Sequence, residues 1–154
     1  MLIISHRGNL FGPSENENNP KFIDECINSN FDCEIDLWYQ NSSLKLGHDS
    51  GVYEIDIGWL AERKDCLWIH CKNSAAINVL KNDKKIDFNY FWHDKDSYTI
   101  TASGKLWVYP GMELIPGCVA VLPEKWHSVD KKNELLKSFA VCTDYPYDFK
   151  NILG

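Results

Sequence analysis

No stretch of the chain approaches the roughly 18 consecutive apolar residues that a membrane span needs. The N-terminus lacks a charged segment followed by a long apolar run, so no signal peptide is expected and the reading is a cytoplasmic protein. Basic residues are scarce too: 16 Lys and Arg stand against 22 Asp and Glu, for a net charge of −6. A phosphate backbone needs a basic patch, so nucleic acid is not an expected partner. A small phosphorylated molecule held at one cationic spot is still compatible with that charge. No C-x-x-C pair occurs among the cysteines, which are Cys26, Cys33, Cys66, Cys71, Cys118 and Cys142. Scattered through expected strands and helices, they read as buried reduced thiols rather than a disulfide framework. Repeats, linkers and low-complexity segments are missing as well.

What is present is an ordinary globular composition, 44% hydrophobic and 25% charged, in a chain long enough for one substantial core. Residues 1–154 are read as a single domain. Its elements alternate. "LIISH" reads as a strand. "NNPKFIDECINSN" reads as a helix with Asn19 as N-cap and Pro20 at the first helical position; Ile23, Cys26 and Ile27 follow the i, i+3, i+4 rule. "FDCEIDLWY" and "SLKLGHD" read as strands. "DIGWLAERKD" reads as a helix capped by Asp56, "CLWIHCK" as a strand, and "NSAAINVLKND" as a helix capped by Asn73 or Ser74. Further on, "FNYFWHD", "YTITA", "KLWVYP" and "CVAVLP" are short strands. A helix around "DKKNELLK" then precedes a last strand, "SFAVCTD".

Strands alternating with helices argue for a largely parallel sheet in an α/β fold. About eight strands could close a (β/α) barrel, although a standard one needs about 250 residues. The expectation is therefore a compact TIM-type barrel with several outer helices reduced or missing. An open α/β sheet is the alternative. Apolar strand surface left bare by missing helices would be covered in a homodimer.

Side chains alternate across a strand. In "CEIDLW", Glu34, Asp36 and Trp38 share one face and Cys33, Ile35 and Leu37 the other. In "LWIHCK", Trp68, His70 and Lys72 oppose Leu67, Ile69 and Cys71. Both strands thus carry an apolar face and a charged one. Buried charges are costly unless paired or metal-bound, and two neighbouring carboxylates repel unless a cation lies between them. Oxygen ligands suit Mg²⁺ or Ca²⁺, and a nitrogen from His70 pulls towards Mn²⁺ or Zn²⁺. Each piece alone has a bland reading: a solvated edge strand for Glu34 and Asp36, a surface loop for His6 and Arg7, a turn for "GHD". Yet four of the five histidines, His6, His48, His70 and His93, fall at or near expected strand ends, where barrel enzymes keep their sites. His127 reads as a loop residue. Trp38, Trp68, Trp92 and Trp107 either line the site or fill the core.

"HRG" after the first strand, "EN" before the first helix, "EID" on the second strand and "GHD" after a hairpin together resemble the glycerophosphodiester phosphodiesterases. That family belongs to the phosphatidylinositol-phospholipase-C-like TIM barrels. The resemblance covers residues 2–73, and "CTDYP", residues 142–146, looks like the family's last strand. It implies His6 and His48 as general acid and base, Arg7 on the phosphate, and Glu34 and Asp36 on a divalent metal. The "EN" motif falls on Glu15-Asn16 or Glu17-Asn18. The family-like spacing to Ile23 that the resemblance implies favours Glu17 and Asn18, which would brace the metal or His6. The family's Glu-x-Lys pair reads His70-Cys71-Lys72 here: Lys72 matches on the phosphate, and His70 replaces a carboxylate metal ligand. Asp49 and His93, with Asp94, are supporting residues.

The implied activity is hydrolysis of a small glycerol- or sugar-linked phosphodiester. Two alternatives are a non-catalytic phosphate-binding protein on the same fold and a lyase that forms a cyclic phosphate. Retention of both His6 and His48 favours an enzyme, because binding alone needs no matched acid and base.

Overall fold

Three helix starts are set locally, by side chains that satisfy the free amides of a first turn. In this computed structural model, which describes residues 1–126 and 132–153, Asn19 accepts from the Lys21 amide at 3.0 Å to open α1 (Pro20–Asn28). Asp56 accepts from the Trp59 amide at 2.7 Å to open α2 (Ile57–Arg63). Asn73, rather than Ser74, accepts from the Ala76 amide at 2.9 Å to open α3 (Ser74–Asn82). Asn73 also exchanges hydrogen bonds with the backbone of Tyr39, tying α3 to the neighbouring strand.

That strand, β2 (Asp32–Gln40), organises the sheet. Along one edge it pairs in parallel with β1 (Leu2–His6), bringing His6 beside Glu34. Farther along the same edge it pairs antiparallel with β3 (Ser43–Leu46), which pairs with β4 (Tyr53–Ile55). Its other edge pairs in parallel with β5 (Leu67–Cys71), bringing Asp36 beside His70. Beyond β5 lies β6 (Tyr90–Trp92). Beyond β1 lie β10 (Ala140–Thr143), β9 (Val119–Val121) and β8 (Leu106–Val108), all parallel. The antiparallel β7 (Tyr98–Ile100) ends that side. Two short helices, α4 (Pro123–Trp126) and α5 (Lys132–Leu135), lie between β9 and β10, and α6 (Pro146–Leu153) closes the chain.

This architecture corrects the barrel expectation. The ten-stranded sheet is curled but open. Between β6 and β7 there is no ladder among the described residues. Contact there comes from the Ala102 amide donating to the Tyr90 carbonyl at 2.8 Å and Thr99 Oγ1 donating to the Trp92 carbonyl at 2.8 Å. Nor do helices alternate with strands throughout, since β6 to β9 follow one another without a helix. The reason is length: closing eight βα units takes about 250 residues, and the chain has 154. Three elements were not expected from the sequence: β4, α4 and α6. The expected helix around "DKKNELLK" is present as α5 among its described residues; its Asp130 and Lys131, like His127, lie outside them.

Alternation places apolar residues on both faces of the sheet. Ile35, Leu37 and Ile69 pack outward against Ile23 of α1, Leu60 of α2 and Leu80 of α3. Ile4, Trp68, Phe91, Trp107, Val119 and Cys142 fill the hollow of the curl. The Phe91 and Trp107 ring centroids are 4.5 Å apart and those of Trp68 and Trp107 are 6.0 Å apart. These rings join β5 and β6 to β8 where hydrogen bonds do not. Replacing a fully buried side chain such as Ile35 by Ala should cost about 2–5 kcal/mol. All six cysteines are free, and five are buried. Among the described residues no helix is long and apolar enough to cross a membrane.

Candidate active site

Where β1 ends, the chain turns on Arg7, whose φ of 56° is unusual for a side chain of its size. Its amide donates to the Glu34 carbonyl at 2.9 Å, so the turn is held by β2. Gly8 follows at φ 83°, and a Cβ there would crowd the Ile23 amide at 3.3 Å. Glycine thus lets the loop run against α1. The loop returns at Asn18, also left-handed at φ 63°, whose amide donates to the Arg7 carbonyl at 2.9 Å. Strained non-glycine residues persist where the surroundings over-determine them, often at functional sites.

This loop delivers Arg7 and Asn18 to Asp36 of β2, and Asn9 and Glu17 to the residues beside them. Asn18 Nδ2 donates to Asp36 Oδ2 at 3.0 Å, and Asn18 Oδ1 accepts from the Asp36 amide at 2.8 Å. Arg7 Nε lies 2.9 Å from the same Oδ2 as an ion pair without an aligned hydrogen bond. Arg7 Nη1 donates to Glu17 Oε2 at 3.0 Å. Asn9 Nδ2 bridges Glu17 Oε1 and Asp144 Oδ1, 2.9 Å from each. Glu17 therefore braces Arg7 and Asn9, while Asn18 braces Asp36.

Glu34 and Asp36 are both almost wholly buried. Burial pushes the Glu34 carboxyl up, and the neighbouring Asp36 adds to the rise against His6, Arg7 and His70. For Asp36, burial is the largest influence and acts upward. His70, Arg7 and Lys72 together outweigh it and hold this carboxyl far below the usual carboxylate range. Asp36 Oδ1 faces His70 Nδ1 at 3.1 Å and Lys72 Nζ at 3.5 Å, and Glu34 Oε1 lies 3.9 Å from the same His70 nitrogen.

Ligand atoms of Glu34, Asp36 and His70 all lie within 4.8 Å of one another, so these three residues could hold a metal ion. Two observations fit such an ion. Asp36 Oδ1 is buried and makes no hydrogen bond. His70 Nε2 meets the His93 carbonyl oxygen at 2.9 Å; a carbonyl only accepts, so Nε2 carries the proton. In the neutral ring Nδ1 is then a lone pair facing two carboxylates, a gap that a metal ion or a second ring proton could fill.

His6 has the opposite polarity. Its Nδ1 donates to Asp144 Oδ1 at 2.7 Å, which leaves Nε2 unprotonated in the neutral ring, 4.0 Å from Glu34 Oε2. Burial raises the Asp144 carboxyl, but the His6 hydrogen bond and charge, Asn9 and Lys125 prevail and hold it below its ordinary value. His6, Arg7, Glu34, His48, His70 and Lys72 line one cleft of about 350 Å³, with His93, Asp94, Trp107, Tyr109 and Lys125 on its remaining walls. His48 is the most open of the predicted pair, with 44% of its side chain exposed and Nδ1 2.8 Å from Asp49 Oδ1. Burial, then Arg7, lowers its pKa.

Of the four tryptophans read as site or core, Trp107 lines the cleft and Trp68 packs beneath it. Trp38 Nε1 donates to the Gly47 carbonyl at 2.7 Å, steadying the turn that carries His48. Trp92 is exposed. Sequence reading missed Asp144, Asn9, Glu124 and Lys125. Asp144 had a usable signal, an acid directly after the last strand in "CTDYP". Asn9 stands beside "HRG". Glu124 and Lys125 sit on a helix of four residues, too short for any periodicity.

No protein-family model, no curated protein and no solved structure matches this chain.

Proposed function

We propose that the protein is a metal-dependent phosphodiesterase that hydrolyses a small glycerol- or sugar-linked phosphodiester. One observation carries the reading: His6, with Nδ1 held by Asp144, presents a free Nε2 beside the Glu34, Asp36 and His70 cluster in a cleft that also holds Arg7 and Lys72. A diester anion resists attack, and cationic side chains at its oxygens lower that barrier. A divalent cation on Glu34, Asp36 and His70 supplies Lewis-acid neutralisation; the two carboxylates favour Mg²⁺ or Ca²⁺, and the imidazole admits Mn²⁺ or Zn²⁺.

In this reading Arg7 and Lys72 orient the phosphoryl oxygens. His6 Nε2 takes the proton of the attacking water or hydroxyl, and Asp144 stabilises the imidazolium that forms. The deprotonated oxygen bonds to phosphorus as the bond from phosphorus to the leaving oxygen breaks, and His48, protonated at the outset, gives its own proton to the departing alcohol. Histidine suits both tasks because its pKa lies near neutrality. Six free thiols support a reducing compartment such as the cytoplasm. Tyr98 and Ile100, both exposed on β7, support a second copy covering that face.

The test is turnover of glycerophosphodiesters with Mg²⁺, Ca²⁺ or Mn²⁺, read by phosphorus NMR. Wild type should release a phosphomonoester, and His6→Ala should lose roughly 10²–10⁴ in rate. A cyclic phosphate as sole product would make the enzyme a lyase. No turnover with any metal, together with phosphate binding that survives EDTA, would make it a binding protein.

A further inference from the structure

Leu122, just past β9, has a φ of 46°, a conformation that a bulky side chain rarely adopts. Its amide donates to the Cys142 carbonyl at 2.7 Å, pinning the turn to β10 two residues before Asp144. The turn leads into α4, and the first residues of α4 grip the end of β10. Glu124 Oε1 accepts from the Asp144 amide at 2.8 Å and from Thr143 Oγ1 at 2.9 Å. Lys125 Nζ lies 3.4 Å from Asp144 Oδ2. On its inner side Asp144 Oδ1 takes the His6 and Asn9 hydrogen bonds, and its carbonyl takes the Gly12 amide at 2.9 Å.

We propose that Glu124 is a positioning residue for His6, acting through Asp144. The inference rests on the phosphodiesterase reading for its kinetic consequence, though not for its geometry. One Glu124 oxygen takes both donors at the point where β10 delivers Asp144 to the His6 ring. Glu124 brings a second acid to the main chain of Asp144, whose own carboxylate is 1% exposed, and its Oε2 is buried without a hydrogen bond. The result is a chain of contacts, Glu124 to the Asp144 backbone and Asp144 to the His6 ring. It fixes which imidazole nitrogen bears the proton and where the free one points. Groups hydrogen-bonded to a metal-ligating imidazole matter about 10–100-fold, and the same scale is expected for Glu124 acting on His6 through Asp144.

The variants are Glu124→Ala, which removes the acceptor, and Glu124→Gln, which keeps a carbonyl oxygen for both donors. The first readout is the proton NMR resonance of the His6 Nδ1–H, shifted to low field by its carboxylate partner and assigned by its loss in His6→Ala. The second is the split between kcat and KM on a glycerophosphodiester, beside Mn²⁺ binding followed by EPR. Glu124→Ala should lose the low-field signal and roughly 10–100-fold in kcat, with KM and Mn²⁺ binding unchanged. Glu124→Gln should retain both signal and rate. A signal that persists in folded Glu124→Ala overturns the proposal. So does a folded Glu124→Gln that matches Ala, since charge rather than position would then be the cause. Should Ala fail to fold, Gln decides alone: it must keep the signal. If wild type turns over nothing, the phosphodiesterase reading falls while the NMR comparison still decides this one.

Discussion

The Nε2–H of His70 donates to the backbone carbonyl of His93 at 2.9 Å, and this one bond determines what His70 Nδ1 can do. With the proton committed to Nε2, Nδ1 faces Asp36 Oδ1 at 3.1 Å as a lone pair or, when the ring is doubly protonated, as a second donor. Neighbouring strands β5 and β6 thus prepare a nitrogen for the acids of β2. The bond comes from the backbone of His93, so it survives loss of that residue's side chain.

Metal affinity should follow that distinction. His70→Ala removes a proposed ligand, and Mn²⁺ binding by calorimetry should weaken beyond the roughly 10–100-fold typical of an outer-shell partner. His93→Ala should bind Mn²⁺ as wild type does. Equal losses in the two variants would show that the His93 ring, not its carbonyl, supports the site.

Lys72 Nζ lies 3.5 Å from Asp36 Oδ1, the oxygen that has no hydrogen bond. A cation at that oxygen competes with the ammonium. Lys72→Met should therefore tighten Mn²⁺ binding, by on the order of 10-fold for a partly screened charge. The same variant should weaken binding of inorganic phosphate. Titrating each ligand separately checks both signs, and a loss of Mn²⁺ affinity in Lys72→Met would contradict the competition.

Asp144 makes acid stability a further check. Burial is the largest influence on its carboxyl and acts upward, but the His6 hydrogen bond and charge, Asn9 and Lys125 together outweigh it and hold the carboxyl below its ordinary value. The unfolded chain therefore binds its proton more readily, near the usual pKa of about 3.9. The stabilisation is present above that pH and is lost as pH falls through the lower folded value. Asp144→Asn should lower the urea midpoint at pH 7 and leave a smaller difference between pH 7 and pH 3 than wild type shows. An unchanged difference would mean that Asp144 gains nothing from its partners.

The turn that carries His48 depends on Gly47. Its φ is 151°, and a Cβ there would collide with the Ser50 carbonyl. Gly47→Ala should destabilise the fold by more than about 1 kcal/mol. Displacing His48 should also lower the proposed activity by more than the stability loss explains. Urea denaturation and steady-state kinetics on the same preparation separate the two effects.

Local chemistry was legible from residue order. Asn19, Asp56 and Asn73 announce their helices because a cap acts within three residues of its own position. The two faces of "CEIDLW" and "LWIHCK" can be read because strand alternation depends on nothing beyond the strand. These patterns singled out Glu34, Asp36, His70 and Lys72 as side chains on the faces opposite the apolar packing. Glu17 and Asn18 emerged only through the resemblance.

Tertiary structure alone decided how the sheet ends and what holds His6. Phe91 of β6 meets Trp107 of β8 across the hollow where β6 and β7 form no ladder among the described residues, which no local pattern encodes. The partner of His6 stands 138 residues away, and Glu124 reaches it through a strained leucine that the residue order does not reveal. Hydrogen bonds between distant segments depend on distances that only the assembled sheet creates. The sequence by itself therefore specified the caps, the strand faces and the acids, and the curl of the sheet decided which of them meet.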